Sequence, residues 1–493
     1  MKIILAGYNL DSSVIAELKK NSPPREDVTP ETLSASYARI SRDPRSVDKL
    51  REVARAEVEK ARRSNRNIIF KMGHHSVAEH AVFNFDVIGV SRLAVEEIEH
   101  FRLCSYTEKS QRYIKLGDDY LVPEEVKQAG KKEIYLDAVH RQNRMYHKLY
   151  NKLKPYFWRK YSGLAENPKN HALLDGWAKE DARYVLSLAT LGQLGMTLNA
   201  RNLEHMIRRF AAHPLAEIQE LNRSIHDLAK EVAPSIILFT EANDFDVRTY
   251  AEIKGFAADI DFSDRQPAFR AVRLVDFTPD ADDKLAAALM HSVTQQPYPY
   301  CRDRAASLTV EEKRSLFKTA FRHMEFYDTV LREFEYVGLT FELETSATCF
   351  AQLKRHRMST LTTQAYDPAL GIVVPPSITA VAAEAEFKDV IRASEKAFAE
   401  LKASLEHGAE YILTNAHCKR VLWKVSAREF YHFSRLREDA TAQWDIRRIA
   451  GEMTVLAEKA MPLTMMLIGG KDAYAENYLK TYGIKPKMSP AEE

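Results

Sequence analysis

The chain has 493 residues, too many for one ordinary hydrophobic core, and its 45% hydrophobic and 28% charged residues suit a globular protein. A net charge of +2 gives no reason to expect a nucleic-acid coat or a membrane surface, so any anion binding must come from local arginine clusters. No apolar run reaches the length of a membrane span, and Cys104, Cys301, Cys349 and Cys418 show no paired spacing, which predicts reduced thiols in a cytoplasmic protein with no disulfide or metal framework.

The opening MKIILAGYNL is too short for a signal peptide and reads as a buried first strand. A short helix and a loop with Pro23 and Pro24 follow, and Thr29-Pro30-Glu31 is the signature of a helix start, Thr29 as N-cap and Pro30 in the first turn. Val47–Ser64 is expected as one amphipathic helix. Phe83, Phe85 and Val87 alternate with Asn84, Asp86 and Ile88 as in a strand, and Ser91–Phe101 is helical. The stretch Ser105–Tyr113 reads as a polar loop. Helices are expected over Lys131–Tyr161, Glu180–Ala189 and Leu198–Glu231, the last closed by Pro234. Gly255 and Pro267 mark a linker within 241–270.

Val272–Phe277 is a second opening strand, and Thr278-Pro279-Asp280 repeats the Thr-Pro-acid helix start. Helices dominate Val310–Val337. Leu339, Phe341 and Leu343 alternate with polar residues, and the period then changes to that of a helix over Thr345–Arg357. Its end places Gln352, Arg355 and His356 on one face, a cluster suited to an anion and a planar ring. Glu384–Leu405 and Trp423–Met453 read as long helices, and the tail from Gly469 as weakly structured. Strand, helix and polar loop thus occur twice, with 255 residues between Arg102 and Arg357, which points to a tandem duplication.

The fragments carry a family resemblance. GHHSVAEH (Gly73–His80), SYTEKSQRY (Ser105–Tyr113), EDAR (Glu180–Arg183), NAR (Asn199–Arg201) and the spacing from Arg209 to Glu217 lie in the first half; QLKRHR (Gln352–Arg357) and LREDATAQWDIR (Leu436–Arg447) lie in the second. Singly, each has a bland reading: Arg355-His356-Arg357 as cations favoured at a helix C-terminus, Ser110-Gln111-Arg112 as a solvated loop, His74, His75 and His80 as structural histidines. Together and in order, they resemble flavin-dependent thymidylate synthase, once per half. The halves depart from the pattern in complementary ways. The Arg-His-Arg has become His100-Phe101-Arg102 with Glu97 upstream, whereas in the second half the loop's serine and arginine are Ala365 and Asp367 and the arginine of EDAR falls at Glu410.

The resemblance implies an α+β fold of two repeats, helix-rich with small mostly antiparallel sheets and packed as a pseudo-dimer, over 1–245 and 271–485 with 246–270 between. It implies FAD as cofactor, NADPH and methylenetetrahydrofolate as co-substrates, and reductive methylation of dUMP to dTMP without an enzyme nucleophile. Family sites lie between subunits, so the expected live site combines Gln352 and Arg355 with Glu108, Ser110, Gln111, Arg112 and Arg183, and the reciprocal site is dead. Arg209 and Arg437 both match the arginine that stabilises charge on the pyrimidine. His74, His80, Asn199, Arg201, His213, Arg355, His356, Arg357 and Glu108 match flavin-contacting elements, and no metal is implied. Two chains would rebuild the family's tetramer as a homodimer, with no nucleic-acid or membrane partner. A related flavin-dependent one-carbon transfer to another pyrimidine, or a non-catalytic flavin- or nucleotide-binding protein, are the alternatives.

Overall fold

A computed structural model describes residues 1–20, 27–40, 42–71, 73–112, 114, 116–262 and 271–487. Pro23, Pro24, Tyr113 and Pro267 and the chain beyond 487 lie outside the described residues. The chain divides into two compact units, residues 1–264 with 374–414, and residues 265–373 with 415–493. This division does not follow chain order: a helical segment from late in the sequence belongs to the first unit.

Among the described residues, each unit holds one four-stranded antiparallel sheet. The first contains β1 (Lys2–Tyr8), β2 (Val82–Ser91), β3 (Ser105–Glu108) and β4 (Leu191–Asn199) in the order β1-β2-β4-β3. The second contains β5 (Val272–Phe277), β6 (Gly338–Ser346), β7 (Thr360–Thr363) and β8 (Cys418–Ser426) in the order β5-β6-β8-β7. The same strand order and antiparallel pairing occur twice, as a duplication requires. β2 is one residue longer than β6; its register slips between Ile88 and Val90, and the extra residue is Gly89 at φ +72°, a conformation glycine adopts without strain.

Smaller marks of duplication agree. Ser91 caps the Arg92–Ile98 helix and donates its hydroxyl to buried Glu217 at 2.6 Å; Ser346 caps the Ala347–Leu353 helix and donates to buried Asp445 at 2.7 Å. Glu31 accepts from the backbone N–H of Ser235, and Asp282 from that of Thr464 at 2.8 Å.

The alternation of β6 puts Leu339, Phe341 and Leu343 into the second unit's core against Trp423, Phe430 and Phe433. Trp423 donates its indole N–H to Ser359 at 2.7 Å, and Ser359 donates to the carbonyl of His356 at 2.6 Å, so the core grips the segment after the Ala347–Leu353 helix. In the first unit the Lys132–Lys160 helix packs on the His171–Ala182 and Glu384–Lys402 helices, and buried Gln142 donates to Ser394 and to the carbonyl of Ile412, both at 2.8 Å. Ser187 and Thr414, equivalent positions of the two repeats, form an antiparallel bridge inside that unit.

Several local expectations are corrected. Ser105–Glu108 is a strand, not loop, because it pairs with β4. The Leu198–Glu231 run begins at the end of strand β4 and then forms two helices, Ala200–Ala211 and Ala216–Val232. Trp423 lies in β8, and the residues that follow form the helices Ala427–Arg437 and Trp444–Ala460. Val47–Ser64 is split at Glu57, and Glu180–Ala189 leaves the helix at Ala182. The N-cap is Pro30 rather than Thr29, and Thr278 bonds Gly338 instead of capping. Asp244–Ala258 is a helix within the expected linker, and Tyr474–Tyr482 is a helix anchored by buried Tyr474 and Tyr478. No helix among the described residues is long and apolar enough to cross a membrane.

Candidate functional site

In the first unit, β3 and the turn after it carry Glu108, Ser110, Gln111 and Arg112. The Ser110 hydroxyl accepts from the backbone N–H of Arg112 at 3.1 Å, which folds the turn back on itself. The Arg112 guanidinium is paired with Glu180, buried in the last turn of the His171–Ala182 helix. Arg183 follows directly and is also buried. Burial pushes its guanidinium down; Glu180 opposes that shift, while the cations Arg112 and Arg92 add to it. Buried Arg92 lies 3.4 Å from Glu96 and 3.7 Å from Glu108. Three arginines and three carboxylates therefore share one neighbourhood, and the arginines present a fork geometry suited to a phosphate. Arg92 and Glu180 are not among the expected site residues, although Glu180 opens the EDAR fragment; the duplication itself holds the signal for Arg92, since its counterpart is the uncharged Ala347.

The other matched residues of this unit are dispersed: some lie near the start of β2 and the end of β4, and Arg209 and His213 at the far end of the helix that follows β4. Asn199 caps the Ala200–Ala211 helix by accepting from Asn202 N–H at 3.0 Å. Arg201 is ion-paired with Glu79, and neighbouring His74 and His80 are exposed, His80 edge-on to Tyr37 at 4.5 Å. His213 accepts from Leu215 N–H at 3.2 Å and lies 3.7 Å from Glu97. Arg209 is drawn to Asp246, 3.3 Å away, which also takes Arg208 at 2.7 Å.

In the second unit Gln352 donates to Gln443 at 3.5 Å, and its Oε1 is buried without a protein hydrogen bond. Arg355 and Arg357 flank His356 and are half-buried. His356 is 4% exposed. Its Nε2 accepts from Nε of Arg437 at 2.9 Å, and its Nδ1 lies 3.4 Å from Glu429. Burial, then the cation Arg437 and neighbouring His432, hold the imidazole well below its usual pKa, so it is neutral. Burial raises the Glu429 carboxyl, with His432 and Arg428 opposing.

Counting from the helix caps aligns the repeats in space. The tenth residue after Ser91 is Phe101, and after Ser346 it is His356; the eleventh after Asn199 is Phe210, and after Ser426 it is Arg437. Phe101 meets Phe210 and His205 where His356 meets Arg437 and His432. The spatial counterpart of Arg437 is thus Phe210. Arg209 occupies the position of Leu436, and the one-residue difference falls after the helix.

Two segments, 26–235 and 273–463, match the family described as thymidylate synthase complementing protein. The chain belongs to that family, as a tandem duplication. A UPF0159 protein of Thermoplasma acidophilum is 26% identical over 438 residues, covering 79% of this chain and 84% of its own. A UPF0159 protein of Chlamydia muridarum is 24% identical over 415 residues, covering 80% and 78%. A flavin-dependent thymidylate synthase of Clostridium tetani is 31% identical over 214 residues, covering 43% of this chain and 82% of its own. This family member therefore resembles one kind of relative across both repeats and another across a single repeat.

Proposed function

We propose that the chain is a flavin-dependent, thymidylate-synthase-like methyltransferase that acts on a pyrimidine nucleotide, dUMP being the leading substrate. The observation that carries this reading is the division of labour between repeats. The first keeps Arg112, Glu180 and Arg183 together in one largely buried cluster. The second keeps Gln352, Arg355 and the His356–Arg437 contact that the first has replaced by two phenylalanines. Glu108, Ser110, Gln111, Arg112 and Arg183 would hold the nucleotide with Gln352 and Arg355, and Arg437 would meet charge on the pyrimidine.

The residues suit a flavin nucleotide. His74, His80 and Arg201 would meet the diphosphate, and Asn199, His213, Arg355 and Arg357 would complete the contacts, His356 being buried between Arg437 and Glu429. When bound, FAD supplies the electrons for reductive methylation, drawn from NADPH, and methylenetetrahydrofolate supplies the carbon. Two chains would associate as a homodimer.

A second reading is transfer to another pyrimidine, favoured by Thr107 where the resemblance expects asparagine and by the UPF0159 names of the relatives that span both repeats. Tritium release from 5-labelled dUMP, with folate donor and reductant, separates the two: release supports the first, and flavin binding without release supports the second. Arg355→Ala and Arg112→Ala are each expected to abolish nucleotide binding, while Asp367→Ala leaves it intact. Unchanged affinity in either arginine variant overturns the shared contribution of the repeats.

A further inference from the structure

The contacts of His356 form a chain of three groups that the proposed chemistry does not by itself require. Glu429 stands in the first turn of the Ala427–Arg437 helix and Arg437 at its end. His356 reaches both from the segment after the Ala347–Leu353 helix. The ring is fixed from several sides: Phe433 lies edge-on at 4.9 Å, His432 at 5.7 Å, and Ser359 holds the backbone carbonyl.

The direction of the chain follows from donor chemistry. A guanidinium N–H can only donate, so the Nε2 atom that receives Arg437 carries a lone pair. A neutral imidazole with that lone pair on Nε2 has its proton on Nδ1. Nδ1 is buried, makes no hydrogen bond of good geometry, and faces the Glu429 carboxylate 3.4 Å away. One donor atom each from His356, Glu429 and His432 also lies within 4.8 Å of the others, a spacing that a divalent cation spans. A cation on Nδ1 would require the proton to sit on Nε2, where the Arg437 N–H already points.

We propose that Glu429 and His356 are positioning residues for Arg437: the carboxylate fixes the imidazole tautomer, and the imidazole pins one edge of the guanidinium plane. This rests on the reading of Arg437 as the group that meets the pyrimidine. The logic is that of a buried carboxylate setting a histidine's tautomer in a hydrolase triad, here with an arginine as the terminal group. The first repeat supplies the control. At the three corresponding positions it has Asn202, Phe101 and Phe210, so all members of the chain are replaced together.

The test uses full-length protein with 15N-labelled histidine, the His356 signal being assigned by its loss in His356→Gln. Wild type is expected to show a neutral ring protonated on Nδ1. Glu429→Leu is expected to mix the tautomers, and Glu429→Gln, which keeps an acceptor oxygen, to restore the Nδ1 form. In turnover, Glu429→Leu is expected to lower kcat roughly tenfold or more with the nucleotide Kd within about twofold, and Glu429→Gln to recover most of the loss. A wild-type ring protonated on Nε2, or added Zn2+ shifting the His356 signal at stoichiometric concentration, overturns the proposal. The predicted tautomer in an enzyme that never turns over dUMP supports the relay and counts against the functional reading instead.

Discussion

Phe101 stands edge to face with Phe210, ring centroids 5.5 Å apart, at the place where the second repeat sets His356 against Arg437. An apolar pair has replaced a polar one without disturbing the sheet or the helix caps around it. Two arginines that the linear sequence leaves equivalent are therefore distinguished. Arg437→Ala is expected to lower kcat by about 10²–10³ while nucleotide affinity changes little, the loss typical of a donor that acts on developing charge. Arg209→Ala is expected to leave turnover within about twofold, because Arg209 faces Asp246. Steady-state kinetics with separate equilibrium binding checks both.

The Arg112–Glu180 pair supports a prediction about stability. Glu180 is buried and Arg112 mostly so, with Arg183 beside them. Removing the carboxylate leaves two cations facing each other in a poorly solvated place. Glu180→Gln is expected to cost about 3 kcal/mol, the lower end for breaking a buried pair. Added phosphate or nucleotide should restore more stability to the variant than to wild type, since the anion takes the carboxylate's place. Urea denaturation with and without the anion reads this directly.

What the sequence makes legible depends on where one face is buried and where the period changes cleanly. Leu339, Phe341 and Leu343 announce β6 because their alternation is strict, and the capping serines Ser91 and Ser346 mark the strand-to-helix change. β4 is hidden because Gly192 and Gly195 interrupt its alternation, and it runs straight into a helix at Ala200. β8 likewise passes into the Ala427–Arg437 helix with no turn residue, so its apolar positions read as the start of that helix. Of the site, the Arg-His-Arg and Ser-x-Arg motifs are legible because they are local. Glu429 and Glu180 are not, because their meaning comes from His356 and Arg112, far away in the chain.

Glu217 carries a pH prediction. It accepts from Ser91 N–H at 2.7 Å, from the Ser91 hydroxyl at 2.6 Å and from Tyr411 at 2.8 Å. Burial nevertheless outweighs these bonds and raises its pKa, with Glu125 adding to the rise. A raised folded pKa means that the folded state holds the proton more tightly. This contribution to stability is complete below the unfolded value near about 4.3 and is lost as pH climbs through the folded value. Glu217→Gln cannot titrate, so its unfolding free energy should fall less than that of wild type as pH rises above about 4.3. Denaturant midpoints at several pH values check the difference in slope.

His356 has the opposite sign. Its folded pKa lies well below the usual value because of burial, Arg437 and His432, while Glu429 faces its Nδ1. The unfolded chain therefore takes up a proton near about pH 6.5 that the folded protein refuses, and stability falls as pH drops below that point, by up to about 1.4 kcal/mol per pH unit. The first repeat shows which side chain removes the effect, since Phe101 occupies the same place among aromatic neighbours. His356→Phe is expected to fold and to flatten the loss of stability between about pH 6.5 and 5. It should also lower kcat, because Arg437 loses the acceptor that holds it. A variant that kept the full wild-type acid sensitivity would mean that another group, and not this imidazole, refuses the proton.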